Sequence, residues 1–179
     1  MHTLAPYIFA MMQVWAPFHI HDHTGVPRFA TMARYWGIAS DLETVVFDPE
    51  EAPLFDDPAV GRAETAVLIL AIASYESGGF RADVDREDKP TGDGGHAWCL
   101  GQLHDQYASG LTDRVSCFRG MLHALRDSWS MCHSDDGDVV YRTTGYTVGH
   151  CEANEPGAEL RVKRARDWWS LAPWLPPVS

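Results

Sequence analysis

Basic residues are scarce in this chain. Its 179 residues hold 14 Lys and Arg against 25 Asp and Glu, a formal net charge of −11. Sequence-independent nucleic-acid binding needs a basic footprint on the phosphates, and this balance argues against it. Attraction to an anionic membrane surface is disfavoured for the same reason. Long apolar runs are missing too. The apolar run near the start, Tyr7–Trp15, is interrupted by Gln13 and falls far short of the ~20 residues of a transmembrane helix. No Lys or Arg precedes Arg28, so the basic n-region of a secretory signal is lacking, although Val14 and Ala16 imitate a cleavage site ahead of Pro17. The plainer reading of 7–15 is an apolar helix or strand of the core. CxxC pairs are absent, which disfavours a zinc ribbon or a thioredoxin-type motif. The four cysteines, Cys99, Cys117, Cys132 and Cys151, fit two disulfides in any of three pairings, or four buried thiols in a reducing compartment.

What is present is ordinary globular composition: 45% hydrophobic and 22% charged residues, with seven Trp, six Tyr and seven Phe to fill a core and line a groove. The length suits one domain, with no internal repeat and no linker. Residues 1–40 mix aromatics, His and Pro without clean periodicity. Residues 41–61 carry seven acids, three prolines and no base, the pattern of a solvated irregular connection. From Arg62 to about Tyr75 small and apolar residues occupy every face, which predicts a helix at the centre of the domain, stopped by Gly78-Gly79. Residues 81–96 are rich in Gly and Asp and predict a hairpin or ordered loop. Thr112–Met131 reads as an amphipathic helix capped by Thr112 or Asp113, with Val115, Phe118, Leu122, Leu125 and Trp129 as its stripe. Asp135-Asp136-Gly137 reads as a turn. Glu159–Leu171 is a last helix, and the prolines from Pro173 onward end it.

The chemistry concentrates in 66–104. A single carboxylate, Glu76, closes the apolar helix and is followed by Ser77 and two glycines. The negative end of a helix dipole and an apolar surround both disfavour a charged carboxylate, so both raise its affinity for a proton. That is the property of a general acid working near neutral pH. The bland alternative is a Glu exposed to water at a helix end. Glu76-Ser77-Gly78 after an apolar helix, then Cys99-Leu100-Gly101-Gln102-Leu103, then Tyr146-Thr147-Val148-Gly149 resembles the lysozyme-like superfamily, and most closely its soluble lytic transglycosylase domain, phage-borne members included. In that family a Glu-Ser follows the helix, a Gly-Leu-x-Gln motif lines the sugar groove, and a Tyr-Asn-x-Gly motif comes later. Here Cys99 replaces the usual glycine and Thr147 the usual Asn, whose role is therefore not carried over. The resemblance spans roughly residues 63–170.

The resemblance implies a mainly α, α+β fold of lysozyme-like architecture, with residues 1–60 as an extension packing on a catalytic domain of 61–179. A small Gly/Asp-rich hairpin lobe, about 81–103, forms one wall of the groove. It implies peptidoglycan as partner, cleaved between N-acetylmuramic acid and N-acetylglucosamine. Glu76 protonates the glycosidic oxygen and then takes a proton from the muramyl 6-hydroxyl, closing a 1,6-anhydro ring with no water nucleophile. Ser77, Leu100, Gly101, Gln102 and Tyr146 are the expected substrate-binding residues, with Gln102 on the N-acetyl groups and the Tyr146 hydroxyl on Glu76 or the sugar. Most glycosidases use two carboxylates. Asp83, Asp85 and Asp93 are the candidates for a second, in which case the product is that of a hydrolysing muramidase. A glycan-binding or virion structural protein on the same scaffold is the non-enzymatic rival. The substrate lies outside the bacterial cytoplasm, in the periplasm or cell wall or met by a phage particle.

Other signals carry less. His19, His21 and His23 would share one face of a strand, as metal ligands do, but no fourth ligand stands at a known spacing, so a His cluster without metal is expected, and no cofactor. The GDGG run lacks the Lys-Ser/Thr of a phosphate loop, and the Asp83–Asp93 stretch lacks the EF-hand pattern. Cys99 beside His104 is set aside as a thiolate nucleophile because it falls within the groove motif. Arg161, Lys163, Arg164 and Arg166 read as a solvated basic face, with attraction of peptidoglycan peptide carboxylates or pairing to the 41–61 acids as alternatives.

Overall fold

The computed structural model describes residues 4–17, 28–134 and 137–170. The His19/His21/His23 run, Asp135-Asp136 and the Pro-rich tail lie outside the described residues. Among those described the chain is mainly helical: α1 (Ala5–Trp15), α2 (Arg28–Val46), α3 (Gly61–Glu76), α4 (Asp105–Ala108), α5 (Arg114–Met131), α6 (Val139–Val148) and α7 (Pro156–Ser170). Strands β1 (Ala97–Trp98) and β2 (Leu103–His104) form one antiparallel pair, in register Ala97↔His104 and Trp98↔Leu103. None of these helices is long and apolar enough to cross a membrane.

Helix α3 is apolar on every side, and accordingly every residue from Thr65 to Ser74 is buried. A helix with no polar face has to be enclosed, and α2, α5 and α7 enclose it. Its end is built by side chain and backbone together. The Ser77 hydroxyl donates to the Ala73 carbonyl (2.6 Å) and accepts the Phe80 N–H (2.8 Å). Gly78 and Gly79 take φ of 61° and 89°, the left-handed region in which glycine carries no Cβ penalty. Phe80 also has positive φ, at 63°. Its fully buried ring, edge-on to Tyr35 and near Trp168, holds it there.

The long helix near 112–131 forms as its sequence predicts, with Asp113 as its cap. The Asp113 carboxylate accepts the Ser116 N–H (2.8 Å), and the Ser116 hydroxyl answers the Asp113 N–H (3.1 Å), a reciprocal capping box. Residues 5–15 and 28–40 differ from the aperiodic reading of 1–40. Both α1 and α2 are regular, and Ile8, Met12, Tyr35, Ile38, Leu42 and Val45 enter the same core as α3. Helix α2 hides its period because Phe29, Met32 and Trp36 are exposed on its other side.

The acidic stretch is not a solvated connection. Its first part completes α2, and most of its carboxylates have partners. Glu43 accepts the Leu4 and Ala5 N–H groups (2.5 and 3.1 Å), capping α1 from a distance. Asp41 pairs with Arg114 (2.5 Å) and Asp48 with Arg119 (2.8 Å). Glu51 is buried against Arg126 (2.5 Å), His123 (3.0 Å) and Arg119 (3.2 Å). The cations come from α5, not from the basic run on α7.

Burial opposes the Glu51 charge, but Arg126 and His123 outweigh it and hold its carboxyl below the ordinary Glu range. A lowered folded-state pKa contributes stability above the unfolded value of about 4.3 and loses it as pH falls through the folded one. Glu51→Gln is therefore expected to cost about 1–3 kcal/mol at pH 7. Thermal melts of both proteins should converge as the pH is lowered below about 4. A gap that persists undiminished at acid pH contradicts this account.

Two disulfides form, Cys99–Cys117 and Cys132–Cys151. The first fixes the hairpin segment to the start of α5. The second fixes the end of α5 to the turn after α6.

Candidate active site

Helix α3 delivers Glu76 to the wall of a cleft of about 580 Å³. The second wall includes Gly101–His104 from the hairpin, the third comes from Tyr146–Gly149 at the end of α6, and α5 adds Asp127 and Ser128. Three of the four elements are joined by the disulfides, because both bonds run through α5.

Across the cleft wall stands Arg161. Helix α7 packs its stripe Ala158, Val162, Ala165 and Trp168 into the core, and Arg161 falls on that stripe, one position before Val162. A cation there has to meet an anion, since an unpaired buried charge is costly. Arg161 Nε donates to Glu76 Oε1 at 2.7 Å, and Nη2 donates to the same oxygen. Its guanidinium carbon lies 4.3 Å from the Tyr75 ring centroid, a cation–π stack. The expected basic face of α7 thus divides. Arg161 and Arg164 turn inward, Arg164 toward Ser74 (3.2 Å), while Lys163 pairs with Asp167 at the surface (2.7 Å).

Burial pushes the Glu76 carboxyl above its ordinary range, and the opposing pull of Arg161 and then His104 does not cancel it. Burial and then the nearby Glu76 charge push the Tyr146 hydroxyl far above its usual pKa. It therefore stays protonated and donates to the Gly101 carbonyl at 2.7 Å. The backbone of Tyr146 is placed by Ser128, whose hydroxyl accepts the Tyr146 N–H (2.9 Å) and donates to the Arg142 carbonyl (2.5 Å).

The expected site residues divide between cleft and scaffold. Glu76, Gly101, Gln102 and Tyr146 line the cleft. Ser77 does not: it is buried and engaged in ending α3. Leu100 is fully buried in the core. Gln102 uses its amide nitrogen on Thr91 Oγ1 and the Cys99 carbonyl, both at 3.0 Å, so it ties the hairpin together rather than offering those N–H groups to a ligand. None of the three proposed second acids reaches the cleft. Asp83 is exposed and paired with Arg81. Asp85 is enclosed between Arg34 (3.1 Å) and Arg114 (2.8 Å). Asp93 is exposed, with His104 at 3.8 Å. The carboxylate that does line the cleft is Asp127, accepting from the Tyr107 hydroxyl at 3.0 Å. Cys99 is half of a disulfide and offers no thiolate.

Sequence reasoning missed Arg161, Ser128 and Asp127. The first was detectable, as a cation in phase with an apolar stripe. Asp127 lies at an exposed position of α5 and gives no such signal.

Gly101 has no room for a side chain. A Cβ there would lie 2.5 Å from Met121 Cγ and 2.7 Å from its sulfur, and Met121 is fully buried. Gly101→Ala is expected to cost about 1–3 kcal/mol and to move the carbonyl that holds Tyr146. Denaturant melts measure the first effect. A variant as stable as the parent contradicts the packing described.

No family model, no curated protein and no solved structure matches this chain.

Proposed function

We propose that the chain cleaves peptidoglycan glycan strands as a lytic transglycosylase on a lysozyme-like scaffold, with Glu76 as its general acid and base. One observation carries the reading. A carboxylate at the end of the enclosed helix opens onto a cleft, its proton affinity raised by burial; Tyr146 lines the same cleft, with its hydroxyl committed to the Gly101 carbonyl rather than to Glu76. Such a carboxyl can give a proton to a leaving glycosidic oxygen near neutral pH. The product carboxylate then removes the proton from the muramyl 6-hydroxyl as that oxygen closes on the anomeric carbon. Atoms balance without water, so a single carboxylate suffices. The exclusion of Asp83, Asp85 and Asp93 from the cleft supports this route.

The two disulfides support action outside the cytoplasm, where such bonds persist. The hydrolytic muramidase is the second reading, and Asp127 favours it as the carboxylate that shares the cleft. Hydrolysis needs a water held opposite the acid, which Asp127 would hold.

Purified sacculi incubated with the protein test the proposal. Soluble muropeptides are expected from sacculi incubated with the unaltered chain and not from sacculi incubated without it. Intact sacculi after prolonged incubation, with protein bound to them, would instead support a glycan-binding role.

A further inference from the structure

Arg161 is the feature of the cleft that a bare acid–base reading leaves unexplained. General acids are commonly enclosed by apolar groups, yet here a guanidinium sits directly on the carboxylate. Its placement is over-determined. Tyr75 supports one face of it at 4.3 Å. Glu155 lies behind it: a Cβ on Gly157 would sit 2.8 Å from Arg161 Nη1 and 3.0 Å from Glu155 Oε1. Glu155 is itself fixed by the Gly157 N–H (2.8 Å), the Ala158 N–H (2.5 Å) and the Thr147 hydroxyl (3.0 Å). Both guanidinium donors converge on Glu76 Oε1, and among the described residues no hydrogen bond reaches Oε2. The pair therefore orients the carboxyl, holding one oxygen and leaving the other to the cleft.

We propose that Arg161 is a positioning residue for the cleavage reaction: by holding Oε1 it aims Oε2 of Glu76 at the substrate and sets the pH at which that carboxyl changes from acid to base. The inference rests on the function proposed above. A carboxyl that must give a proton in one step and take one in the next works best when its pKa lies near the operating pH. Burial pushes the carboxyl upward, and the adjacent Arg161 charge opposes that rise without cancelling it. The groups facing Glu76 are Arg161 on α7, His104 on β2 and Tyr146 on α6. Arg164 and Glu155 stand around Arg161, and Asp127 faces the same cleft from α5. Tyr146 stays protonated. Among the described residues, Arg161 is the one whose side chain hydrogen-bonds to the Glu76 carboxylate.

The test is a carboxyl carbon-13 NMR titration of the Glu side chains in the unaltered protein, Arg161→Met and Arg161→Lys, beside the pH profile of muropeptide release. Removing a cation at this distance shifts a carboxyl by ~1–3 pH units. The Glu76 midpoint is expected to rise by at least about one unit in Arg161→Met, with the alkaline limb of the profile moving up with it. Arg161→Lys, which keeps the charge, should fall between. A midpoint unmoved in a folded Arg161→Met overturns the proposal. Should the Met variant not fold, the unaltered protein decides: its Arg161 Nε–H resonance must shift with the same midpoint as the Glu76 carboxyl, and different midpoints overturn the pairing. These titrations use no substrate. An absence of soluble products from the unaltered chain therefore removes the proposed function and is distinct from a failed titration.

Discussion

Glu76→Gln is expected to lower muropeptide release by roughly 10³–10⁴-fold or more, since each acid or base role is worth ~10²–10⁴ and one carboxyl fills both. Gln is close to Glu in shape, and its amide oxygen can still accept from Arg161 Nε, so the cleft should keep its form. The substitution leaves Arg161 without a counter-charge at 11% side-chain exposure. Glu155 nearby moderates that loss, and any reduction in Tm should be small against the loss of turnover. Release rates from sacculi, with near-ultraviolet circular dichroism as the folding control, measure both. A folded Gln variant that releases products at the parent rate would remove Glu76 from the mechanism.

Reduction should have the largest effect on stability. The bonded cysteines are 18 and 19 residues apart, and loops of this length correspond to ~3 kcal/mol each. Together that is ~6 kcal/mol against a total of ~5–15 for an ordinary domain. At ~2–4 °C per kcal/mol for a chain of this size, the reduced protein should melt on the order of 12–24 °C lower. The bonds attach at opposite ends of α5, so Cys99→Ser/Cys117→Ser and Cys132→Ser/Cys151→Ser should each give about half the effect and nearly add. The first pair should disturb the hairpin wall and the second the Tyr146 wall, so both should weaken release before the core unfolds. Calorimetry with and without a phosphine reductant checks the shift. A reduced protein melting within about two degrees of the oxidised one would contradict this part of the account.

How much was legible follows from how local each signal is. Helix α3 and its stop could be read because its apolar surface and its glycines are contiguous. The Asp113 cap could be read because its partner, Ser116, is three residues away. Helix α2 was not legible because Trp36, Phe29 and Met32 place apolar side chains on its exposed side and blur the period. Helix α6 escaped notice because its middle is Thr143-Thr144-Gly145, poor helix formers that packing against α5 overrides. The acidic stretch looked solvated because the cations that bind Glu51 stand 68 to 75 residues later, on α5. The site shows the same limit. Glu76 and Tyr146 carry recognisable local patterns. Arg161 lies 85 residues from Glu76, and only its phase on α7 betrays it. Ser77, Leu100 and Gln102 sit within the motifs, yet the structure uses Ser77 to end a helix, Leu100 to fill the core and Gln102 to tie the hairpin. A motif marks a place in the chain; whether its side chain faces ligand or scaffold depends on packing.

The most direct test of the central claim is the mass of the muramic-acid end released from purified sacculi by the unaltered protein. Glu76 acting alone as acid and base predicts 1,6-anhydro-muropeptides, each lighter by one water than the hydrolysis product. Reducing muramic acid ends would contradict the single-carboxylate mechanism and transfer the second role to Asp127.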